Sequence, residues 1–204
     1  MQHGSGLREH VLLFSRFLRS PRTVGALTAS SRALAAAMVE HLRPGDDSHV
    51  VELGPGTGAF TGAIVDQLGP AGRCLAVDIE PAFIEQIRKR WPAVECVCAS
   101  AENLERLVGE RRFGPVGHII SGLPFASLPQ PVTMQIIDAI SRTLAPGGTF
   151  TTFQYAYAFP LPTATVFRRA MSLRMGGPPV SRLVMMNMPP ALTLTWKQRV
   201  SLPG

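Results

Sequence analysis

Three glycines at alternate positions follow a short apolar run, and this turn is where the sequence first predicts ligand chemistry. Val50–Leu53 has the β-branched character of a buried strand, and Gly54, Gly56 and Gly58 separate it from a helical pattern. Glycine tolerates positive φ and lets a ligand approach the backbone, while the first N–H groups of a helix bind carboxylate or phosphate. The turn, with Glu52 two residues before its first glycine, therefore predicts a nucleotide-type site.

A carboxylate follows at the distance expected for the same site. Asp78 ends a second apolar run, 24 residues after Gly54, which suits one strand–helix–strand crossover. Such a carboxylate can accept both hydroxyl groups of a ribose, and Ile79 beside it would pack on the face of an adenine. The glycine spacing also fits a dinucleotide site, with Ala59 as its last small residue, so these residues alone leave the choice of nucleotide open.

The elements that must position these residues alternate between strand and helix. Apolar strand-like runs start near Val50, Arg73, Val94, His118 and Thr149, with helical patterns between them. This alternation predicts an α/β fold with a parallel sheet and right-handed crossovers. Two late runs, Leu183–Met188 and Leu192–Trp196, have no helix between them and predict a terminal hairpin.

The first 45 residues have two helical patterns and no strand-like run. Leu7–Ser20 has helical period, with Leu7, Val11, Phe14 and Leu18 on one stripe and arginines opposite. This pattern suits a helix in a membrane interface, and equally one packed over a protein core. A second helix is predicted over Arg32–Leu42, ending at Pro44-Gly45. We therefore divide the chain into an N-terminal amphipathic helix and lid helix, residues 1–45, and a nucleotide-binding domain, residues 46–204.

Composition limits the class of partner. The 204 residues carry a net charge of +6, with a pI near 10, so an anionic partner such as nucleic acid or a membrane surface is favoured. No run of 18 apolar residues occurs, so no spanning helix is expected. Cys74, Cys96 and Cys98 form no C-x-x-C pair, which predicts buried free thiols and no metal site.

Glu52–Gly58, in the form E-x-G-x-G-x-G, resembles motif I of the class I S-adenosylmethionine (SAM) methyltransferases. The resemblance implies a Rossmann-like, seven-stranded, mostly parallel sheet with a terminal antiparallel hairpin, SAM as cofactor and S-adenosylhomocysteine as product. In that superfamily an Asp often reads the adenine amine where this chain has Ser100, so a hydroxyl or backbone N–H must replace it here. The cofactor-binding residues it implies are Glu52, Gly54, Gly56, Gly58, Asp78, Ile79, Ser100, Ala101 and Ser121.

The fourth strand ends in Ser121-Gly122-Leu123-Pro124-Phe125, which is similar to the short motif of methyltransferases that act on amino groups. Phe125 at its end is expected to pack against the acceptor amine, since an aromatic face stabilises a positively charged nitrogen. Tyr155 and Tyr157, which alternate on and after the fifth strand, are the other candidates for this catalytic role. Packing of all three rings in the core remains the alternative.

Nearly the whole chain resembles the bacterial phospholipid N-methyltransferases, on Phe17–Gly25, Val51–Gly58 and, above all, the G-L-P-F-x-S-L-P run of Gly122–Pro129. That family implies SAM-dependent methylation of phosphatidylethanolamine, through its mono- and dimethyl forms, to phosphatidylcholine. The expected enzyme is a cytoplasmic monomer, peripheral on the inner face of the membrane. It would meet an anionic lipid surface through the N-terminal helix and use no metal and no nucleic acid.

The alternative is the rRNA adenine N6-dimethyltransferase family, which has a similar glycine motif. That family places Asn in its N-L-P-[YF] motif, where this chain has Gly122. For the lipid, Arg22 or Arg32 is expected to hold the phosphate. No histidine belongs to a motif, so we expect proton removal by desolvation with a backbone or hydroxyl acceptor. The candidate substrate-binding residues are His10, Arg22, Ser31, Arg32, Gly122 and Leu123.

Overall fold

The computed structural model describes residues 32–43 and 45–199. The predicted helix over residues 7–20 lies outside the described residues, as do His10, Arg22 and Ser31. The strands are β1 (His49–Leu53), β2 (Arg73–Asp78), β3 (Glu95–Cys98), β4 (Val116–Ser121), β5 (Leu144–Tyr155), β6 (Val180–Val184) and β7 (Ala191–Lys197). The helices are α1 (32–38), α2 (Ala59–Val65), α3 (Pro81–Arg90), α4 (Leu104–Glu110), α5 (Gln130–Thr143) and α6 (Pro162–Met175), with a 3₁₀ turn at Ala101–Asn103.

The strands form one seven-stranded sheet in the order β3–β2–β1–β4–β5–β7–β6. Strands β1 to β5 pair in parallel, whereas β7 runs antiparallel to both β5 and β6. This confirms the predicted Rossmann-like methyltransferase fold with its terminal hairpin. Because the strand order reverses between β1 and β4, the loops that follow these strands diverge and leave a crevice at their carboxyl ends.

Apolar side chains cover both faces of the sheet, so the domain has three layers. On one face the core contains residues of α4, α5 and α6, including Leu104, Ile137 and Phe167. On the other face it contains residues of α1, α2 and α3, including Met38 and Ile64. The central strands are buried on both sides, which explains why they read in the sequence as continuous apolar runs.

Three element boundaries differ from the predicted ones. The helix predicted over Arg32–Leu42 ends at residue 38 and continues as a turn. Strand β5 begins at Leu144 rather than Thr149, because it continues through the predicted Pro-Gly-Gly stop with a shifted register against β4. Strand β6 lies at Val180–Val184, earlier than predicted, because Val184 pairs with Ala191 and leaves 185–190 as the hairpin loop.

The cysteines are free but not uniformly buried. Cys74 on β2 is buried and Cys96 is partly buried, whereas Cys98 at the end of β3 is exposed. The prediction of three buried thiols was therefore wrong for Cys98, because β3 is an edge strand of the sheet. In the described part of the chain, no helix combines the length and apolar character that crossing a membrane requires.

Candidate active site

Backbone hydrogen bonds join the carboxyl ends of four neighbouring strands. The N–H of Gly54, after β1, donates to the carbonyl of Val77 on β2, at 2.9 Å. The N–H of Gly122, after β4, donates to the carbonyl of Leu53, at 2.8 Å, and Ala99 after β3 donates to Asp78, at 2.9 Å. The loops that carry the predicted cofactor residues therefore start from one rigid edge.

The glycine turn opens onto a cavity at this edge, and its glycines have different roles. Gly56 has φ +53°, and a Cβ placed on it would have no neighbour within 4 Å, so its backbone borders open space. Gly58 has φ +87° at the start of α2, and a Cβ there would lie 2.4 Å from the ring of Trp91. Gly56 therefore leaves room for a ligand, whereas Gly58 allows α2 to pack against Trp91 and does not line the cavity.

Asp78 borders the cavity beside the glycine turn. Its Oδ2 accepts a hydrogen bond from the N–H of Gly56, at 3.3 Å, and its Oδ1 accepts from the N–H of Glu80, at 2.9 Å. Burial raises the pKa of the Asp78 carboxyl, and these backbone donors oppose the rise. The carboxylate borders the cavity and is 8% exposed. It is therefore placed to accept hydrogen bonds from the hydroxyl groups of a ribose.

Glu52 lies beneath the glycine turn rather than in the cavity wall. It is fully buried, and its Oε2 accepts a hydrogen bond from the Thr61 hydroxyl at 2.6 Å. No described group pairs with its Oε1. Burial is the main cause that raises the pKa of Glu52 to about 8, and the nearby Asp78 carboxyl adds to the rise. The structure thus places Glu52 as a support of the turn, with one oxygen unpaired.

The end of β3 supplies the third wall. Ser100 and Ala101 both line the cavity, as does Ile79 after β2. The Ser100 hydroxyl donates to the carboxylate of Glu102 at 2.6 Å and accepts from the Glu102 N–H at 3.3 Å, so it caps the 3₁₀ turn. This fixes the wall at the place where the sequence predicted an adenine contact. The cavity also has apolar walls that the sequence analysis did not assign: Phe83, Leu128, Val132, Ile136 and Phe153.

The loop after β4 separates this cavity from a second one. Ser121 is fully buried and lines neither cavity; its hydroxyl accepts from the N–H of Leu123, at 3.2 Å, and so shapes the loop. Gly122, Leu123 and Pro124 line both cavities. A Cβ on Gly122 would lie 2.7 Å from the carbonyl oxygen of Gly54, which leaves no room for a side chain there.

Phe125, which the sequence predicts to pack against the acceptor amine, has one ring face stacked in the core. Its side chain is 4% exposed and stacks on Phe167 of α6, with ring centroids 4.2 Å apart and planes at 12°. Phe150 contacts it edge-on at 6.2 Å. Phe125 borders the second cavity. The face of its ring that stacks on Phe167 is covered, because both rings belong to the same hydrophobic core.

Other aromatic rings form a row along the second cavity. Phe60 of α2 contacts Phe153 edge-on at 5.8 Å, and Phe153 contacts Tyr155 edge-on at 5.4 Å. Tyr155 then stacks on Tyr157 at 5.6 Å. Phe153, Tyr155 and Tyr157 line the second cavity, and Phe153 also lines the first. The structure therefore places Tyr155 and Tyr157 at the second cavity, with Phe153 between the two cavities.

Arg32, one of the two arginines predicted to hold the lipid phosphate, lines neither cavity, and the other, Arg22, lies outside the described residues. Arg32 is exposed on α1 and faces a separate groove with Thr57, Gly58 and Trp91. No histidine within residues 32–43 or 45–199 lines the two cavities. The same residues contain no group of three or more His, Cys, Asp or Glu side chains that could hold a metal ion.

Comparison with known proteins agrees with this geometry. Residues 50–148 match the family model described as "Methyltransferase domain". The chain is 26% identical over 147 residues to an ornithine lipid N-methyltransferase of Singulisphaera acidiphila, covering 71% of this chain and 77% of the relative. It is 27% identical over 103 residues to ribosomal RNA small subunit methyltransferase A of Bordetella avium, covering 50% of this chain but only 37% of the relative.

A solved structure shares the fold over most of its length. It is the 1,6-didemethyltoxoflavin-N1-methyltransferase of Burkholderia thailandensis, crystallised with 1,6-didemethyltoxoflavin and S-adenosylhomocysteine. The TM-score is 0.65 at 21% identity, and the match covers 95% of this chain and 90% of that one. At this identity the likeness concerns the fold.

The first cavity fits SAM. The Asp78 carboxylate is available to ribose hydroxyls, and the open backbone at Gly56 can be approached closely. Ile79, Phe83 and Ala101 provide apolar surface for an adenine ring. The polar and apolar groups needed for a nucleoside thus lie around one cavity, with the loop after β4 on its far side.

Proposed function

We propose that this chain, which carries a class I SAM-dependent methyltransferase domain, methylates the amine of a membrane phospholipid. The proposed substrate is phosphatidylethanolamine, converted through its mono- and dimethyl forms to phosphatidylcholine. The observation that supports this most is the second cavity, which adjoins the cofactor cavity across Gly122–Pro124 and is lined by Phe153, Tyr155 and Tyr157. The lipid N-methyltransferase of Singulisphaera acidiphila adds support for a lipid amine as acceptor.

The lining of the second cavity suits a nitrogen that becomes positively charged. When bound, SAM supplies an electrophilic methyl group on a sulfonium, and the acceptor nitrogen gains positive charge as it is methylated. Every described residue that lines the second cavity is uncharged. The faces and oxygens of the aromatic row stabilise a cation without binding it tightly, by up to about 2 kcal/mol for one ring. Such a lining can accept a primary, secondary or tertiary amine in turn.

Proton removal follows from the same surroundings. Only the neutral amine has a lone pair, and burial in an apolar cavity lowers the pKa of an ammonium group. Burial also raises the pKa of Tyr155, so its hydroxyl stays neutral and serves as a hydrogen-bond acceptor rather than as an anionic base. We therefore assign alignment and desolvation of the amine to this cavity, with no strong general base among the described residues that line it.

Methylation of an rRNA adenine is the second candidate, supported by the match to the Bordetella avium enzyme. Gly122 counts against it. The family with the N-L-P-[YF] motif uses an Asn side chain at this position, and here even a Cβ would meet the carbonyl of Gly54.

Membrane association, a monomeric state and a location on the cytoplasmic face remain part of the proposal. The net charge of +6 and the predicted amphipathic helix over residues 7–20 support attachment to an anionic surface. Removing that helix should weaken vesicle binding without abolishing cofactor binding, because every predicted cofactor-binding residue lies later in the chain, from Glu52 onward.

The proposal is tested by following a labelled methyl group from SAM to three acceptors: phosphatidylethanolamine vesicles, vesicles of an ornithine lipid, and unmodified small-subunit rRNA. We expect label in phosphatidylethanolamine, with mono-, di- and trimethyl products separated by mass spectrometry. Label in ornithine lipid alone would move the substrate to another aminolipid. Label in RNA alone, or in no acceptor despite cofactor binding, would contradict the proposal.

A further inference from the structure

Gln154 has a buried amide whose N–H donors are unpaired. It lies on β5 at 6% exposure and lines the second cavity between Phe153 and Tyr155. Its Nε2 has no hydrogen-bond partner among the described residues. Buried polar groups are paired in the large majority of cases, so an unpaired buried donor beside a cavity suggests that a ligand supplies the acceptor.

Arg168 fixes which end of the Gln154 amide is left unpaired. From α6 its guanidinium donates to the Oε1 of Gln154, at 2.7 Å, and to the carbonyl of Phe159, at 2.9 Å. It also donates to the Thr165 hydroxyl at 3.0 Å and lies 3.8 Å from the centroid of the Phe159 ring. A guanidinium only donates, so the amide oxygen must face Arg168, and the NH₂ group is left buried without a partner in a residue that lines the second cavity.

We propose that Gln154 binds an acceptor oxygen of the substrate headgroup, with Arg168 as its positioning residue. This rests on the proposed function and names a subsite within it. The ligand chemistry is an anionic oxygen near the acceptor amine, either a phosphodiester oxygen or a carboxylate. A neutral donor suits this place better than a cation, because a positive side chain would oppose the charge that forms on the methylated nitrogen. The proposed Gln154 contact takes the place of the phosphate contact predicted for Arg32, because Arg32 faces a different groove.

The matched change is Gln154→Glu, which keeps an oxygen for Arg168 and replaces the NH₂ donor by a second oxygen. We expect the KM for phosphatidylethanolamine to rise about tenfold or more, since a charge-assisted hydrogen bond is replaced by repulsion. We expect kcat to change by less than about threefold and S-adenosylhomocysteine affinity to be unchanged, because Gln154 does not line the cofactor cavity. Cofactor binding measured by calorimetry also confirms that the variant is folded.

Arg168 variants separate positioning from folding. Arg168→Met should raise KM in the same direction as Gln154→Glu, and Arg168→Lys should restore part of the loss because an ammonium still donates to Oε1. The matched control is Arg169→Met, which removes the neighbouring exposed cation and should leave KM unchanged. Equal losses in the Lys and Met variants would overturn the positioning role.

The two oxygen sources are distinguished by running Gln154→Glu on phosphatidylethanolamine and on an ornithine lipid. A rise in KM with the first supports a phosphate contact, and a rise with the second supports a carboxylate contact. An unchanged KM on every lipid that the wild type methylates would overturn the subsite while the proposed function stands. If the wild type methylates no aminolipid, both are overturned, and the wild-type control shows this without any variant.

A second, independent observation concerns the loop between β6 and β7. Its Met185, Met186 and Met188 side chains are 68%, 79% and 65% exposed. Beside them Tyr157 is 62% exposed, in a loop whose Ala156 N–H donates to the carbonyl of Pro190, at 2.8 Å. We call Tyr157 and these three methionines the methionine rim. Because Ala191 pairs with both Tyr155 and Val184, the rim stands at the end of β5, beside the mouth of the second cavity.

The charge of the surrounding chain indicates what the rim contacts. Residues 139–204 contain six Arg and one Lys but no Asp or Glu. Three of these arginines pair with carboxylates from other parts of the chain, Arg142 with Glu105, Arg174 with Asp138 and Arg182 with Glu40, so the segment keeps a net positive charge. Exposed apolar groups in a segment of net positive charge complement an anionic lipid surface, and the unbranched, flexible methionine side chain adapts to a fluid apolar phase. We infer that the methionine rim docks on the lipid bilayer and brings the second cavity to the headgroups. Tyr157 connects the two, because it belongs to the rim and lines the cavity.

The test uses the full-length variant with Met185→Ser, Met186→Ser and Met188→Ser together. Sedimentation with vesicles of phosphatidylethanolamine and phosphatidylglycerol should show binding weakened by about tenfold or more, since three apolar side chains lose their burial in lipid. The matched control is Leu173→Ser with Val180→Ser, which removes two exposed apolar side chains in the last turn of α6 and at the far end of β6. It should bind vesicles as the wild type does.

Unchanged vesicle binding by the triple variant would overturn this inference. So would equal losses in the triple variant and the control, which would indicate a general effect of surface apolarity. Light scattering of the wild type and the triple variant tests the remaining occupant, a second copy of the chain. A dimer in the wild type that the triple variant loses, with vesicle binding intact, would assign the rim to self-association instead.

Discussion

Asp78→Ala is expected to weaken binding of S-adenosylhomocysteine by about 100-fold, because each charge-assisted hydrogen bond to a ribose hydroxyl contributes about 1.5–3 kcal/mol. The carboxylate is 8% exposed and borders the cofactor cavity, so water replaces the lost contacts poorly. The change also removes the acceptor for the N–H groups of Gly56 and Glu80, which loosens the glycine turn from β2.

Calorimetry with S-adenosylhomocysteine measures this loss directly. Asp78→Asn keeps an acceptor of the same shape without the charge, so it should fall between the wild type and the alanine variant. The control is Asp66→Ala, which removes an exposed carboxylate after α2 and should leave the affinity within about twofold. An alanine variant that binds within about threefold of the wild type would show that Asp78 is not the ribose contact.

The second large effect concerns stability and pH. The pKa of Glu52 is about 8 in the folded protein, against an ordinary value of 4.5. A raised folded-state pKa means that the folded protein holds the proton more tightly than the unfolded chain does. The stabilisation is therefore complete below pH 4.5 and is lost as pH rises toward 8, after which this group has no further effect. The loss across this window is on the order of 4 kcal/mol.

Glu52→Gln removes this dependence, because the amide is neutral at every pH and can still accept the hydrogen bond from Thr61. In urea unfolding at pH 5, 6.5 and 8, the free energy of unfolding of the variant should increase relative to that of the wild type as pH rises. The difference should reach on the order of 3 kcal/mol at pH 8. The control is Glu110→Gln, an exposed partner of Arg106, whose difference from the wild type should stay small at each pH. Parallel stability curves for Glu52→Gln and the wild type would contradict the buried-carboxylate account.

Local sequence features were enough to predict the cofactor cavity. The glycine turn, Asp78 and the wall at Ser100 and Ala101 each follow directly from the end of a strand, so chain order alone placed them at one edge. The roles of individual side chains were less predictable. Gly58 faces Trp91 rather than the ligand, because the contact depends on how α2 packs against the end of α3.

The geometry of the second cavity depends on packing between residues that are distant in sequence, and no local motif indicates such packing. Phe125 belongs to a loop motif, but its ring is held by Phe167, which comes from α6 and is distant in sequence. Gln154 belongs to no sequence motif, and its partner Arg168 lies on α6, 14 residues later in the chain. Phe153 could have been found from the sequence, because it alternates with Tyr155 along β5 and so shares its side of the strand.

The central claim is that two adjoining cavities at one sheet edge hold the cofactor and the acceptor. Hydrogen–deuterium exchange of the full chain tests it most directly, with S-adenosylhomocysteine added first and phosphatidylethanolamine vesicles second. We predict that the first addition slows exchange at Gly54–Thr57 and Ala99–Ala101, and that the second slows it at Gly122–Leu123 and Phe153–Tyr157. Protection by the cofactor confined to the groove beside α1, or lipid protection that leaves Phe153–Tyr157 unchanged, would contradict it.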